Sequence, residues 1–96
     1  MSPLKKKKLS KIRIDLDKLD NILIKIIKKR TNLVKKVLAL KEKKNQIVDK
    51  KRIKKILSNI RLKSLKKNID VKITNEIWKS MIRAFIDYEY RNFGKK

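Results

Sequence analysis

The side chains able to do chemistry in this chain are limited in kind. It contains no His and no Cys, so the commonest acid–base group and metal ligand is missing, and so is any redox thiol or disulfide. What remains is cations and a few carboxylates. Arg13, Arg30 and Lys41 lie along one apolar-periodic stretch, Arg52 follows Asp49 by three residues, and Glu89 shares a helical row with Trp78, Ile82 and Ile86. Such groups can grip an anionic substrate and stabilise negative charge as it develops. They are poorly suited to most hydrolytic or redox chemistry.

Spacing limits how these cations can cooperate. Arg30 and Lys41 are eleven residues apart. On a helix that is three turns, about 20° of residual rotation and roughly 16 Å of rise, so the two share a face and can hold one small dianion between them. Arg13 precedes Arg30 by seventeen residues, roughly 25 Å along the axis and turned by about 100°, too far for one small ligand to touch both in the same chain. In an antiparallel dimer, Arg13 of one chain can approach Arg30 and Lys41 of the other. Spacing alone equally allows three ordinary surface cations. Glu89 is open in the same way: a carboxylate in an apolar row is either at the edge of the row or buried with a partner. A buried neutral acid can donate a hydrogen bond.

The elements that must position these residues are helical. One Gly and one Pro, Gly94 and Pro3, both lie near the ends, and a chain so poor in turn residues is expected to be all-α. Apolar residues at Ile12, Leu16, Leu19, Leu23, Ile26, Ile27, Leu33, Val34, Val37 and Leu40 predict a long helix over about 10–43, with Ser10 as its N-cap and residues 1–9 as a flexible basic arm. That helix would be roughly 50 Å long, against a radius of gyration near 13 Å for a globule of about 100 residues. Its apolar stripe therefore predicts cover from a second chain. After a short connection at 46–48, Asp49 predicts a cap for a second helix to about Lys67, with Ile53, Ile56, Leu57 and Ile60 on one face. Asn68–Ile69–Asp70 predicts a turn, and a third helix follows from Val71 to about Phe93, ended by Gly94. The order is long, short, medium, and residues 10–94 make one domain.

The formal net charge is +22. Such a balance raises nucleic acid or anionic lipid as a partner. The excess is nearly all Lys, accompanied by much Ile and Asn, all residues with A/T-rich codons, and the lysines scatter through every helix as solvated faces do. Base-reading residues on a compact basic face are lacking. No apolar run reaches the length of a membrane span, and no signal-like segment follows Lys5–Lys8. The expectation is a cytoplasmic protein with no membrane and no specific nucleic-acid partner.

Taken together, the spaced residues resemble the AroQ-type, all-helical chorismate mutases. The resemblance covers about residues 9–93. It rests on Arg13 and Leu19–Asp20 in IRIDLDKLD, Arg30 in KKRTNLV, Lys41 in VLALK, the set Val48, Asp49 and Arg52, and Glu89 in FIDYE. It implies an intertwined homodimer of three-helix chains with two shared active sites and no cofactor. Arg30 would grip one carboxylate of chorismate and Arg13 of the other chain the second. Lys41 and Glu89 would flank the ether oxygen, and Arg52 and the Asp49 region would lie near the ring hydroxyl. The implied reaction converts chorismate to prephenate, on the route to Phe and Tyr. It is an intramolecular pericyclic rearrangement, so it needs no nucleophile or metal, only a held conformer and stabilised charge on the breaking ether.

Two positions depart from the family pattern. Ile53 stands where a Glu that meets the ring hydroxyl is common, and Phe85 where a Ser is common. The pocket is expected to be more apolar around the ring. Similar folds act as isochorismate-pyruvate lyases and tend to be apolar or aromatic here, so that activity is the alternative within enzymes. A small basic helical nucleic-acid-binding protein is the alternative outside them.

Overall fold

In a computed structural model, residues 1–95 are described. They form three helices and no strand: α1 at Pro3–Leu40, α2 at Lys50–Lys66 and α3 at Val71–Asn92, with a short 3₁₀ turn at Lys44–Gln46 between α1 and α2. The long, short, medium order expected from the sequence is the one observed.

The start of α1 differs from expectation. The helix begins at Pro3, not at Ser10. Proline suits the first helical position because its φ is preset and it lacks only an N–H that would be unpaired there anyway. The lysines that follow are good helix formers, and no breaker intervenes. Ser10 is therefore an interior residue, its Oγ donating to the Lys6 carbonyl at 3.1 Å, the usual alternative for a mid-helix Ser. The stretch expected as a basic arm is helical from Pro3.

The chain divides into two units, Met1–Leu33 and the residues from Val34 onward. The first is helix alone. Ile12, Leu16, Leu19, Leu23 and Ile26 are each more than half exposed, and α1 has no buried residue along its length.

The second unit contains the end of α1, the 3₁₀ turn, α2 and α3, with α2 packed against α3. Local chemistry fixes its corners. Asp49 caps α2 by accepting from the Arg52 amide at 3.0 Å, and Asp70 caps α3 by accepting from the Lys72 amide at 2.9 Å. Between them Asn68 takes φ of 55°, a left-handed conformation that Asn tolerates better than most. It lets the Ile69 amide reach back to the Ser64 carbonyl at 2.9 Å, closing the C-terminus of α2 in a Schellman turn. Gly94, with φ of 73°, follows α3 in the same conformation.

Where α2 meets α3, two hydroxyls are buried. Ser64 Oγ and Thr74 Oγ1 lie 2.7 Å apart, and Ser64 Oγ also reaches the Ile60 carbonyl at 2.7 Å. Small side chains there let the helices approach, and each hydroxyl satisfies the other. Ile47, two residues before the α2 cap, is the one buried apolar residue among those described, at 3% exposure.

Candidate active site

The second unit carries a cavity of about 230 Å³. Its walls are largely aliphatic: Val34 and Val37 from α1, Ile47 from the connection, Ile53 and Ile56 from α2, and Ile82, Phe85 and Ile86 from α3. Five polar side chains interrupt that lining, namely Lys41, Gln46, Asp49, Arg52 and Glu89. An apolar pocket with a few converging polar groups is the usual form of a small-molecule site. Two larger grooves in this unit differ in chemistry. One of about 450 Å³ runs along α2 and α3 past Lys54, Arg61 and Lys72. Another of about 780 Å³ lies by the end of α3, with Tyr88 and Phe93. Each joins exposed lysines to apolar surface without a charged pair in its polar lining of the kind the smaller cavity holds, so chemistry and not size selects the site.

The pair is Lys41 and Glu89, of which Glu89 is buried and Lys41 partly exposed. Glu89 is 6% exposed, so of the two alternatives for a carboxylate in an apolar row, it is buried with a partner. Lys41 Nζ donates to Glu89 Oε1 at 2.9 Å and to the Ile47 carbonyl at 3.4 Å. Lys41 follows the last residue of α1, and Glu89 lies on the inward row of α3. Desolvating two charges costs several kcal/mol each in effective terms, and an ion pair in place of well-packed apolar groups often adds no net stability. A charged pair kept in an aliphatic wall is thus better understood as a tool for a ligand than as a fastener.

The backbone around Lys41 is fixed by Gln46. The Gln46 Oε1 accepts from the amide of Glu42 at 2.7 Å and from that of Lys43 at 3.0 Å. With α1 ended at Leu40, the Gln46 side chain holds the chain that leaves the helix just past Lys41. On the far side of the 3₁₀ turn, the Asp49 carboxylate that lines the cavity is also the α2 cap, and it sets the direction of the first turn bearing Arg52 and Ile53.

Of the residues singled out by sequence, Lys41, Asp49, Arg52, Ile53, Phe85 and Glu89 line this one cavity. Arg13 and Arg30 belong to the first unit, where Arg13 is exposed and Arg30 half-buried. Gln46 was not among the site residues expected from the sequence. Its signal was hidden in the polar patch Lys41–Gln46, which reads as a simple connection. Val34, Val37, Ile56, Ile82 and Ile86 were visible only as members of apolar rows. Among the described residues no helix is long and apolar enough to cross a membrane.

The family model for chorismate mutase type II matches residues 12–90, a span that contains every lining residue of the cavity as well as Arg13 and Arg30. No curated relative matches the chain, and no solved structure matches it. With a match across most of its length, on a three-helix chain that gathers a Lys–Glu pair in an aliphatic pocket, the protein belongs to the type II chorismate mutase family.

Proposed function

We propose that this chain is a chorismate mutase that rearranges chorismate to prephenate for aromatic amino-acid synthesis in the cytoplasm. The observation that carries the proposal is the Lys41–Glu89 pair, 2.9 Å apart in the wall of an apolar cavity. In the rearrangement the ether C–O bond breaks while a C–C bond forms, and negative charge grows on the ether oxygen. Lys41 Nζ supplies a charge-assisted donor to that oxygen. Glu89, on the same wall, supplies a second donor when its carboxyl carries a proton. Water exclusion by the valine and isoleucine walls makes each donor worth more than it would be in water.

The substrate's two carboxylates fall to the arginines, Arg30 for one and Arg13 of a second chain for the other. Arg52 and the Asp49 region take the ring hydroxyl side. Ile53 and Phe85 face the ring with apolar surface. No cofactor enters, because every bond made and broken belongs to one substrate molecule. The proposal includes a homodimer with two shared sites. It is supported by the exposed apolar residues of α1, which a single chain leaves uncovered. Residues 10–94 would carry the activity, and residues 1–9 would add charge only. The positive charge would cause nonspecific, salt-sensitive association with polyanions but no sequence-selective one.

A second reading, isochorismate-pyruvate lyase on the same fold, is favoured by one specific observation. Ile53 and Phe85, at the two positions where the family pattern commonly has polar residues, line the cavity. Incubating the purified protein with chorismate and with isochorismate, and following the loss of each, separates the two. The mutase reading predicts faster loss of chorismate with no release of pyruvate. Pyruvate released from isochorismate, with chorismate left intact, would replace it with the lyase reading.

A further inference from the structure

The Gln46 carboxamide has one end committed and one end open. Its two partners, the Glu42 and Lys43 amides at 2.7 and 3.0 Å, are both donors, so the atom facing them must be the carbonyl oxygen. That fixes the orientation of the whole group. The Nε2 end then holds two N–H donors, and among the described residues it makes no hydrogen bond. The residue is exposed and lines the same cavity as Lys41, Asp49, Arg52 and Ile53. The cavity lining therefore includes a side chain with a preoriented donor end that has no protein partner, alongside the polar Lys41, Asp49, Arg52 and Glu89. Ile53, in the first turn of α2, stands where the family pattern commonly has a Glu that meets the ring hydroxyl.

We infer that Gln46 is a specificity-determining residue that donates through Nε2 to the ring hydroxyl oxygen of the substrate. This rests on the mutase reading. The assignment to the hydroxyl follows from the substrate's polar groups. In that reading the carboxylates are taken by the two arginines and the ether oxygen by Lys41 and Glu89, which leaves the hydroxyl, on the side of Arg52 and the Asp49 region, which line the same cavity as Gln46. Holding Oε1 on two main-chain amides removes most of the side chain's freedom before substrate arrives, so little entropy is lost when the bond forms. The bond then favours a substrate with its hydroxyl at the position that Nε2 reaches.

The test compares kcat/KM for chorismate and for its analogue lacking the ring hydroxyl, in the parent, Gln46→Ala and Gln46→Met. The parent should prefer chorismate by roughly three- to tenfold, the worth of one neutral hydrogen bond. In both variants the ratio should fall, to the part that Arg52 and the Asp49 region supply. If both variants lose activity equally on the two substrates, Gln46 only clamps the turn beside Lys41 and the inference is wrong. A parent that does not distinguish the substrates overturns it without any variant, whatever the variants' folding. A parent that turns over neither compound overturns the mutase reading itself, a result recognisably different from loss of discrimination.

Discussion

At the scale of single residues, the Lys41–Glu89 pair makes opposite demands on stability and on catalysis. Removing one partner leaves the other charged and buried. Lys41→Ala is therefore expected to destabilise the fold by about 3–5 kcal/mol, read as a lowered midpoint in urea, and to cut kcat by roughly 10²–10³. Replacing both together, as Lys41→Met with Glu89→Leu, removes the charges and keeps the volume. Stability should then return to near the parent value while activity stays lost. A double variant as unstable as Lys41→Ala would mean that the pair serves the fold. Glu89 carries a second expectation. Glu89→Gln keeps a hydrogen-bond donor on that wall and should retain most of the parent kcat/KM for chorismate, whereas Glu89→Ala keeps none and should lose roughly 10²-fold or more. Equal activity in the two variants would show that Glu89 does not have this role. Glu89 was legible in the sequence as a carboxylate in an apolar helical row, though the row left an edge position and a buried pair both open, and Lys41 was legible by its spacing from Arg30. Gln46 was not, because its role depends on which main-chain amides the connection leaves unpaired, and no periodicity encodes that.

At the scale of elements, the helix boundaries that sequence located are those written in local chemistry. Asp49 and Asp70 each accept a main-chain amide within their own first turn, and Asn68 and Gly94 take the positive φ that ends a helix. The start of α1 was misread because Ser10 has the type of a cap but sits among residues that all favour helix. With Pro3 preset for the first turn, nothing stops the helix from starting there. The Ser64–Thr74 contact was not foreseen either, since it joins residues from two helices and neither hydroxyl breaks its own helix's pattern. It gives an expectation that involves no catalysis. Ser64→Ala leaves the buried Thr74 hydroxyl with its weaker contact, the Val71 carbonyl at 3.4 Å. It should cost about 1–3 kcal/mol of stability by urea unfolding, with kcat/KM for chorismate little changed. A loss of activity larger than the loss of folded protein would show that the α2–α3 crossing tunes the site.

For the whole molecule, the question is what covers α1. Its apolar residues repeat at helical spacing, yet none is buried in the single chain. The proposed answer is a second copy, which also brings Arg13 to a site that a single chain cannot complete. Inactive Arg13→Ala and inactive Arg30→Ala proteins, unfolded and refolded together, should form heterodimers with one intact site and recover up to about half the parent activity per mixed dimer. Confirmed mixing without recovery would argue against Arg13 acting across chains. Sequence carried the long apolar stripe but not its partner, because helical periodicity reports that a face must be covered and is silent on what covers it.

The central claim is that this chain converts chorismate to prephenate through Lys41 and Glu89. The most direct test is to incubate chorismate with the purified parent protein and with Lys41→Ala, and to identify the product by proton NMR as the substrate disappears. The account predicts prephenate as the single enzymatic product of the parent, formed far faster than in buffer, with Lys41→Ala slowed by at least about a hundredfold. Chorismate consumed no faster than in buffer, or prephenate formed equally fast by both proteins, would contradict it.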